Sequence, residues 1–209
     1  MNVVALIKAV PDLTQSRYSK SEMKLQEKGP RLMPPVSENV LEAVRQIKES
    51  NQNVSTRALL LGNQAEDIVL RKALAFGLDQ ACLILGDVDA YDPYLKSRLI
   101  AKALEKLGVP DVLVVGSDSG FGSGGQLGIR VAELLGFEDA ETVGDIASAS
   151  PSVRKVFLVE QGANQPRIPN IMAVMKAGSK ELLTLKAEEL LTGEEFKSVQ
   201  IISREEWLG

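Results

Sequence analysis

Glycine is concentrated in one segment of the sequence, between Gly116 and Gly128. Six of these thirteen residues are glycine, whereas an average usage of about 7% predicts roughly one. The segment follows an apolar run at 112–115 and precedes an amphipathic stretch at 125–135. In a parallel sheet, a turn from a strand into a helix lies at the carboxyl edge, where bare backbone amides bind anions, typically phosphate. The pattern therefore predicts a phosphate site, and a flexible turn that binds no ligand is the alternative.

These glycines match the known phosphate-binding motifs only formally. Gly120, Gly122 and Gly125 satisfy the pattern GxGxxG. However, they follow the fourth predicted strand instead of the first, and no acidic residue closes a second strand about twenty residues later. No Lys-Ser or Lys-Thr pair follows the glycines, which excludes a P-loop of the GxxxxGK[ST] type. The dinucleotide-binding fingerprint is therefore a weak match.

Two further segments contain residues that could do chemistry. The first apolar run ends in Lys8-Ala-Val-Pro-Asp12, where Lys8 could meet a phosphate or extend into solvent, and Asp12 is typical of a turn. In the segment 164–172, two prolines flank Arg167 and Ile168. A rigid loop that exposes an arginine and a large apolar side chain suits contact with another protein. A plain connecting loop is the alternative for this segment.

The composition excludes several classes of site. The sequence has no histidine and a single cysteine, Cys82, which excludes Ser-His-Asp and Cys-His catalytic pairs, histidine-ligated metals and an intramolecular disulfide. Cys82 lies in an apolar run typical of a buried core residue. With 24 basic and 28 acidic residues, a net charge of −4, the chain lacks the positive excess that nucleic-acid binding requires. No apolar run approaches the ~20 residues of a membrane span, so we expect a cytoplasmic protein without membrane insertion.

Apolar runs alternate with amphipathic stretches, and this alternation predicts the elements that position these segments. The predicted strands cover residues 2–10, 54–61, 80–85, 112–115, 153–159, 180–185 and 199–202. The predicted helices are one capped by Ser37, then 65–76 closed by Gly77, 92–106 with Asp92 as cap, 125–135 closed by Gly136, and 171–177. Residues 11–36 form a long loop that could contain a short hairpin. Short apolar strands joined by helices predict an α/β fold, a doubly wound, mostly parallel Rossmann-like sheet with helices on both faces. We expect a single domain over residues 1–209.

Five segments, in this order, resemble motifs of the β subunit of electron transfer flavoproteins. The family's motifs are V-K-x-V-P-D, N-P-[FL]-[DC]-E with A-L-E-E-A-[LV]-R-L-K-E, L-R-x-A-L-A-M-G-A-D, a glycine-rich loop, and N-E-P-R followed by L-P-N-I-M. Their counterparts here are Leu6 to Asp12, Met33 to Ser37 with Leu41 to Glu49, Leu70 to Asp79, Gly116 to Gly128, and Asn164 to Met172. Together the five segments span residues 3 to about 180 and are specific because they lie in register.

The resemblance implies an adenine-nucleotide-binding domain. Members of the family hold AMP in this domain, or a second FAD in the electron-bifurcating branch, while the electron-carrying FAD lies mainly on a separate α subunit. Carried over position by position, the nucleotide contacts fall on the exit of the first strand, the start of the first helix, the end of the second strand and the glycine segment. These residues are Leu6, Lys8, Met33, Pro34, Pro35, Val36, Leu61, Gly116, Gly122, Ser123, Gly124, Gly125 and Gln126.

The resemblance also implies protein partners. An FAD-bearing α-type subunit is expected to form a heterodimer with this chain, and flavin dehydrogenases are expected to deliver the electrons. Residues 160–180 correspond to a partner-recognition loop and short helix, in which Pro166, Arg167, Ile168 and Pro169 dock the partner and Ile168 stands at the family's anchoring leucine. In this role the chain relays electrons as a carrier subunit, with no catalytic residues of its own expected.

Departures from the family's pattern leave a second function open. Met33 replaces the usual Asn, and the sequence stops at Gly209, where relatives carry a C-terminal arm that wraps the α subunit. We therefore expect a short, divergent member that forms a weaker heterodimer or none. The alternative is a stand-alone adenine-nucleotide-binding module with a signalling or storage role, as a homodimer if no α partner exists. An enzyme using Lys8, Asp118 and Glu160 is a third hypothesis, but the spacing of these residues specifies no reaction.

Overall fold

The computed structural model describes residues 1–89, 91–117, 124–143, 154–191 and 193, and strands alternate with helices through most of them. The strands are β1 (Asn2–Leu6), β2 (Arg17–Ser19), β3 (Lys24–Gln26), β4 (Ser55–Gly62), β5 (Gln80–Leu85), β6 (Val112–Gly116), β7 (Asp139–Val143), β8 (Lys155–Val159) and β9 (Leu183–Lys186). The helices are α1 (Pro35–Ser50), α2 (Asp67–Ala75), α3 (Pro93–Leu107), α4 (Gly124–Leu134), α5 (Ile171–Ser179) and α6 (Ala187–Leu190), with a 3-10 turn at Gln64–Glu66.

Seven of these strands form one sheet in the order β7-β8-β6-β1-β4-β5-β9. Every neighbouring pair is parallel, and the central strand β1 places Leu6 opposite both Leu59 of β4 and Val115 of β6. From β1 the chain builds outward through β4 and β5 and then returns to β6 on the other side. The strand order therefore reverses beside β1, and the predicted doubly wound α/β class is confirmed.

Helices cover both faces of this sheet. Alternate residues of β1 point to opposite faces, since Val3 and Ala5 pack with α1, α2 and α5, whereas Val4 and Leu6 pack with α3, α4 and α6. Strands buried on both faces need apolar side chains in both phases of the pleat, which explains their nearly continuous apolar runs. Among the described helices, none has the length and apolar composition needed to cross a bilayer.

The helix boundaries agree with the sequence in part. The Asp92 side chain caps α3 by accepting a 2.7 Å hydrogen bond from the Leu95 amide, and Gly77 and Gly136 have positive φ angles of 104° and 70° after α2 and α4. The prediction that Ser37 caps α1 is wrong, because α1 begins at Pro35 and Pro34 occupies the N-cap position. Proline at the first helical position fixes φ and gives up an amide that has no partner within the helix, so the proline pair starts α1 two residues before Ser37.

Three strand assignments differ from the sequence prediction. Strand β1 ends at Leu6 instead of residue 10, because the chain leaves the sheet and Val10 exchanges two 2.8 Å backbone hydrogen bonds with Leu32. Strand β7 was not predicted, since its sequence DAETV lacks an apolar run. Strand β9 covers Leu183–Lys186 instead of 180–185. The hairpin of β2 and β3 confirms the one suggested within the loop 11–36, and the predicted strand at 199–202 lies outside the described residues.

Candidate functional site

A cleft of about 300 Å³ opens at the carboxyl edge of the sheet, beside the point where the strand order reverses. Residues 6–11, which comprise the last residue of β1 and the segment after it, line one part of the cleft, and Leu61 near the end of β4 lines another. Leu127 of α4 and three residues of α3 complete the lining on the side of these helices. Ligands of open α/β folds bind at this place, and ligand pockets range from about 300 to 1,000 Å³. The cleft is therefore the candidate binding site.

Two glycines of the glycine-rich segment are required by packing at the edge of this cleft. A Cβ atom at Gly116 would lie 2.8 Å from Val36 Cγ2, and one at Gly128 would lie 2.5 Å from Val115 Cγ2. Both distances are shorter than Cβ contacts in real proteins, so α1 and α4 reach β6 only because these residues lack a side chain. Part of the glycine enrichment thus has a structural cause that does not involve a ligand.

The remaining glycines of this segment fall into two groups. Gly124 and Gly125 are the first residues of α4, so the amide groups of its first turn lie at the carboxyl edge of the sheet. Such amides have no partner within the helix and form an anion-binding end. Gly120 and Gly122 lie outside the described residues. The first turn of α4 could therefore bind a phosphate at this edge, as the sequence predicts.

Charged residues on the loop and on the connection from β5 to α3 form a network beside the cleft. The Arg31 guanidinium donates hydrogen bonds to both carboxylate oxygens of Asp89, at 2.8 and 2.6 Å, and to both of Glu27, at 2.9 and 2.8 Å. It also lies 3.5 Å from the buried carboxylate of Glu66. Arg31 and Asp89 both line the cleft, so this network ties the hairpin loop to the start of α3.

The surroundings shift the pKa of two groups in this network. The pKa of Glu66 is raised because burial disfavours its charged form, against the attraction of Arg31. The hydrogen bonds that Arg31 donates to Glu27 are the main reason that the pKa of Arg31 is raised above its usual range. A permanently charged guanidinium therefore stands beside a buried carboxyl group and favours the ionised form of that group.

Lys96 lines the same cleft from the first turns of α3. Burial is the main cause that lowers the pKa of its ammonium group; Arg31 adds to that effect, and the attraction of Asp89 and Asp92 opposes it. Together with Lys8 and Arg31, which also line the cleft, Lys96 gives a largely apolar site a cationic border.

The structure brings some of the sequence-predicted nucleotide contacts to the cleft and places others elsewhere. Leu6, Lys8 and Leu61 line it. Leu6 and Lys8 also adjoin a second cavity of about 20 Å³, which Val36 and Gly116 line as well. Of the other predicted contacts, Met33 packs against the core and Pro34 is buried, whereas Pro35 and Gln126 are exposed. Gly124 and Gly125 begin α4. Gly122 and Ser123 lie outside the described residues.

Sequence reasoning missed the charged residues that the fold adds to the cleft. Arg31 comes from the long loop, whereas Asp89 and Lys96 lie on either side of the predicted helix start at Asp92. A signal for Lys96 was present in the sequence, because the start of a helix that follows a parallel strand lies at the carboxyl edge. No local pattern places Arg31 there.

Cys82 is a core residue, as its apolar neighbours predicted. Its side chain is fully buried in the layer between the sheet and α3, and burial raises the pKa of the thiol to about 11. A thiol that stays protonated and inaccessible is neither a nucleophile nor a metal ligand.

The segment that includes Arg167 and Ile168 is held firmly on α1. Asn39 and Asn164 exchange hydrogen bonds, with Asn39 Nδ2 donating to Asn164 Oδ1 at 2.9 Å and Asn164 Nδ2 donating to the Asn39 carbonyl at 3.0 Å. The buried Glu42 carboxylate accepts hydrogen bonds from the Arg167 backbone at 3.3 Å and from its Nε at 3.2 Å. The loop is thus anchored on the side of the sheet that α1 covers.

The tip of this loop and the helix after it expose apolar side chains. Ile168 is 94% exposed. Asn170 caps α5 by accepting a 2.8 Å hydrogen bond from the Ala173 amide. The exposed apolar side chains that continue from Ile168 along α5 are Ile171, Met172, Val174 and Met175. We call these five residues the α5 patch; a contiguous exposed apolar patch of this kind marks an interaction surface.

Comparison with known proteins identifies the family. A family model described as the electron transfer flavoprotein domain matches residues 22–154, more than half of the chain. The chain is 29% identical over 215 residues to the electron transfer flavoprotein subunit beta of Bacillus subtilis, covering 93% of this chain and 82% of the relative. It is 26% identical to the corresponding subunit of Megasphaera elsdenii, covering 90% and 78%, and 27% identical to the protein FixA of Azorhizobium caulinodans, covering 85% and 66%. The chain therefore belongs to the electron transfer flavoprotein family, as a member of the β-subunit type.

Proposed function

We propose that this chain is the β-type subunit of an electron transfer flavoprotein, that it binds an adenine nucleotide in the cleft beside β1, and that it pairs with an FAD-bearing α-type subunit. In such an assembly the FAD of the α subunit accepts and donates the electrons. The residues of this chain hold the nucleotide and present a docking surface to the dehydrogenase that delivers the electrons. AMP is the nucleotide that we expect in this site, and FAD is the alternative ligand of the same site.

The single observation that supports this function most directly is the position of the cleft. It lies where the strand order reverses, at the ends of β1 and β4 and beside α4. An adenine ring needs apolar walls, and Leu6, Leu61 and Ile100 supply them. A phosphate needs amides or cations, and the first turn of α4 together with Lys8 and Lys96 supplies both.

Mass spectrometry of the small molecule released on unfolding the purified protein tests this site. We expect an adenine nucleotide in about one copy per chain. The variant Gly124→Asp should lose it, because the change adds bulk and negative charge at the start of α4, where the phosphate approaches. An acidic residue in the first turn stabilises a helix, so loss of the nucleotide would not be due to loss of α4.

The matched control is Gly178→Asp in α5, where an added Cβ atom meets no atom within 4 Å. This variant makes the same chemical change away from the cleft and should retain the nucleotide fully. Equal nucleotide content in Gly124→Asp and the wild-type protein would place the site elsewhere. A preparation without any adenine nucleotide, before and after incubation with AMP, would refute nucleotide binding.

Co-expression with an α-type chain from the same organism tests the assembly. We expect a yellow complex that contains one copy of each chain and FAD. A colourless homodimer that carries an adenine nucleotide would instead support the stand-alone nucleotide-binding module, and would refute the electron-transfer role.

The α5 patch is the docking surface that we propose for the dehydrogenase. Ile168 is its most exposed member, and its backbone is fixed by the anchoring of Arg167 to Glu42. Ile168→Asp should leave folding and nucleotide content unchanged but slow reduction of the complex by a flavin dehydrogenase at least tenfold, since a central apolar anchor contributes about 2 kcal/mol or more to an interface. Leu134→Asp, at a 47% exposed position on α4, is the control. A wild-type rate for Ile168→Asp would remove the docking assignment.

A further inference from the structure

Lys96 stands in a position that is electrostatically unfavourable for a cation. It is the fourth residue of α3, whose first residue is Pro93, and the N-terminal turn of a helix carries partial positive charge. It is partly buried, so its ammonium group has lost part of its hydration. The guanidinium of Arg31 adds a like charge, as the lowered pKa of Lys96 reflects.

The carboxylates near Lys96 are engaged elsewhere. Asp89 accepts two hydrogen bonds from Arg31, and Asp92 caps α3 through the Leu95 amide. Within the part of the chain that the structure describes, no ion pair and no side-chain hydrogen bond of the Lys96 ammonium group is present. The two carboxylates attract Lys96 from a distance, but neither pairs with it.

Lys96 is also one of the residues that line the candidate cleft. It lines the cleft together with Lys8, Leu61 and Leu127, so an anion bound beside α4 has access to it. A partly desolvated cation without a paired carboxylate becomes favourable when an anionic ligand enters the cleft and supplies the missing charge.

We propose that Lys96 binds the anionic phosphate group of the adenine nucleotide that occupies this cleft. This inference rests on the proposed function, and it adds a cation from α3 to the backbone amides at the start of α4. The two helices approach the cleft from the same face of the sheet, so the phosphate lies between them. Lys96 is then a binding residue that favours phosphorylated ligands over neutral nucleosides.

If Lys96 binds a ligand, its replacement should not lower the stability of the ligand-free protein, whereas replacement of a lysine with a structural role should lower it. A methionine at position 96 keeps most of the aliphatic stem and removes the charge. Because the charge is unfavourable in the ligand-free protein, Lys96→Met should leave the thermal midpoint of that protein unchanged or raise it. Lys102→Met is the control on the same helix, since Lys102 is 46% exposed and pairs with Glu105 at 2.8 Å on the surface.

Calorimetric titration of the full chain, freed of endogenous nucleotide, with AMP and with adenosine separates the contribution of the phosphate group to the affinity from that of the nucleoside. The wild-type protein and Lys102→Met should bind AMP more tightly than adenosine. Lys96→Met should lose roughly 10- to 100-fold in affinity for AMP, the contribution of a charge-assisted hydrogen bond, and bind adenosine as the wild type does.

Three results would overturn the assignment. Wild-type affinity of Lys96→Met for AMP would exclude contact with the phosphate while leaving the nucleotide site in place. A lower thermal midpoint, with equal losses for AMP and adenosine, would give Lys96 a structural role. If the wild-type protein bound neither AMP nor adenosine, the proposed function and the role of Lys96 would both be refuted.

Discussion

Replacing Gly128 by alanine tests the packing that brings α4 against the sheet. The new Cβ would lie 2.5 Å from Val115 Cγ2, 2.9 Å from its Cβ and 3.0 Å from its Cγ1, whereas carbon atoms pack at about 3.5–4.0 Å. Rotation of the valine side chain cannot relieve the clash, because Val115 Cβ itself is too close. Helix α4 must therefore move away from β6 by about 1 Å.

The magnitude follows from two opposing effects. Overpacking of a core costs roughly 1–3 kcal/mol, and Leu127, Val131 and Leu135 hold α4 in place because they are buried in the same layer. Alanine in place of glycine favours a helix by up to ~1 kcal/mol. We expect a net decrease of about 1–2 kcal/mol in the free energy of unfolding, and a thermal midpoint lower by roughly 2–8 °C for a chain of this length.

Equilibrium unfolding in guanidinium chloride, followed by circular dichroism, measures this change. Gly178→Ala is the matched control, since Gly178 also lies in a helix but its Cβ would meet no atom within 4 Å; it should be neutral or more stable by up to ~1 kcal/mol. In the double variant with Val115→Ala, the removed methyl groups relieve the 2.5 and 3.0 Å contacts but leave the 2.9 Å contact with Cβ, so the two losses should be less than additive by about 1 kcal/mol. Equal stability of Gly128→Ala and Gly178→Ala would refute the close approach of α4 to β6.

Three further perturbations test the charged groups. Burial tends to raise the pKa of Asp79, but hydrogen bonds from Lys48 and Thr56 outweigh it and hold that pKa below 3.8. Asp79→Asn should therefore lose up to ~1 kcal/mol near neutral pH, and denaturation as a function of pH should show this deficit shrinking as the pH falls below about 4. Glu42→Ala should lower the free energy of unfolding by roughly 2–3 kcal/mol, because two arginines lose a buried carboxylate, and limited proteolysis should then cleave the loop anchored on α1 more rapidly. Arg31→Met should raise the pKa of the buried Glu66 further, so the stability of this variant, compared by urea unfolding, should be lower at about pH 8 than at about pH 5.

Each of these has an outcome that contradicts it. For Asp79, a deficit that stays constant from neutral to acidic pH would show that the ionised carboxylate is not the source of the stability. For Glu42, an effect no larger than that of Glu49→Ala, whose side chain is 53% exposed, would show that the buried carboxylate is not required. For Arg31, a variant whose stability does not depend on pH in this range would show that the guanidinium does not influence the pKa of Glu66.

The central strands and the helix ends could be predicted from the sequence because local chemistry determines them. Strands β4, β5 and β6 are buried on both faces and therefore read as continuous apolar runs. Asp92 and Gly77 mark helix ends through a side-chain acceptor and a positive φ angle, both of which depend on residue type alone.

The rest depended on tertiary contacts that no local pattern contains. Strand β7 is identified by its pairing with β8, where Val143 lies opposite Val159, and its own composition is polar. The border of the cleft depends on Arg31, which reaches Asp89 across 58 residues of sequence. Its position follows from the path of the long loop over the sheet edge, and that path is fixed by contacts between distant segments.

The mutual amide pairing of Asn39 and Asn164 has a consequence for molecular encounter. A loop that is ordered before contact loses little conformational entropy when it is bound, so less of the binding free energy is spent on ordering it. The docking that we propose for the α5 patch would therefore cost this loop little conformational entropy at each encounter with a partner.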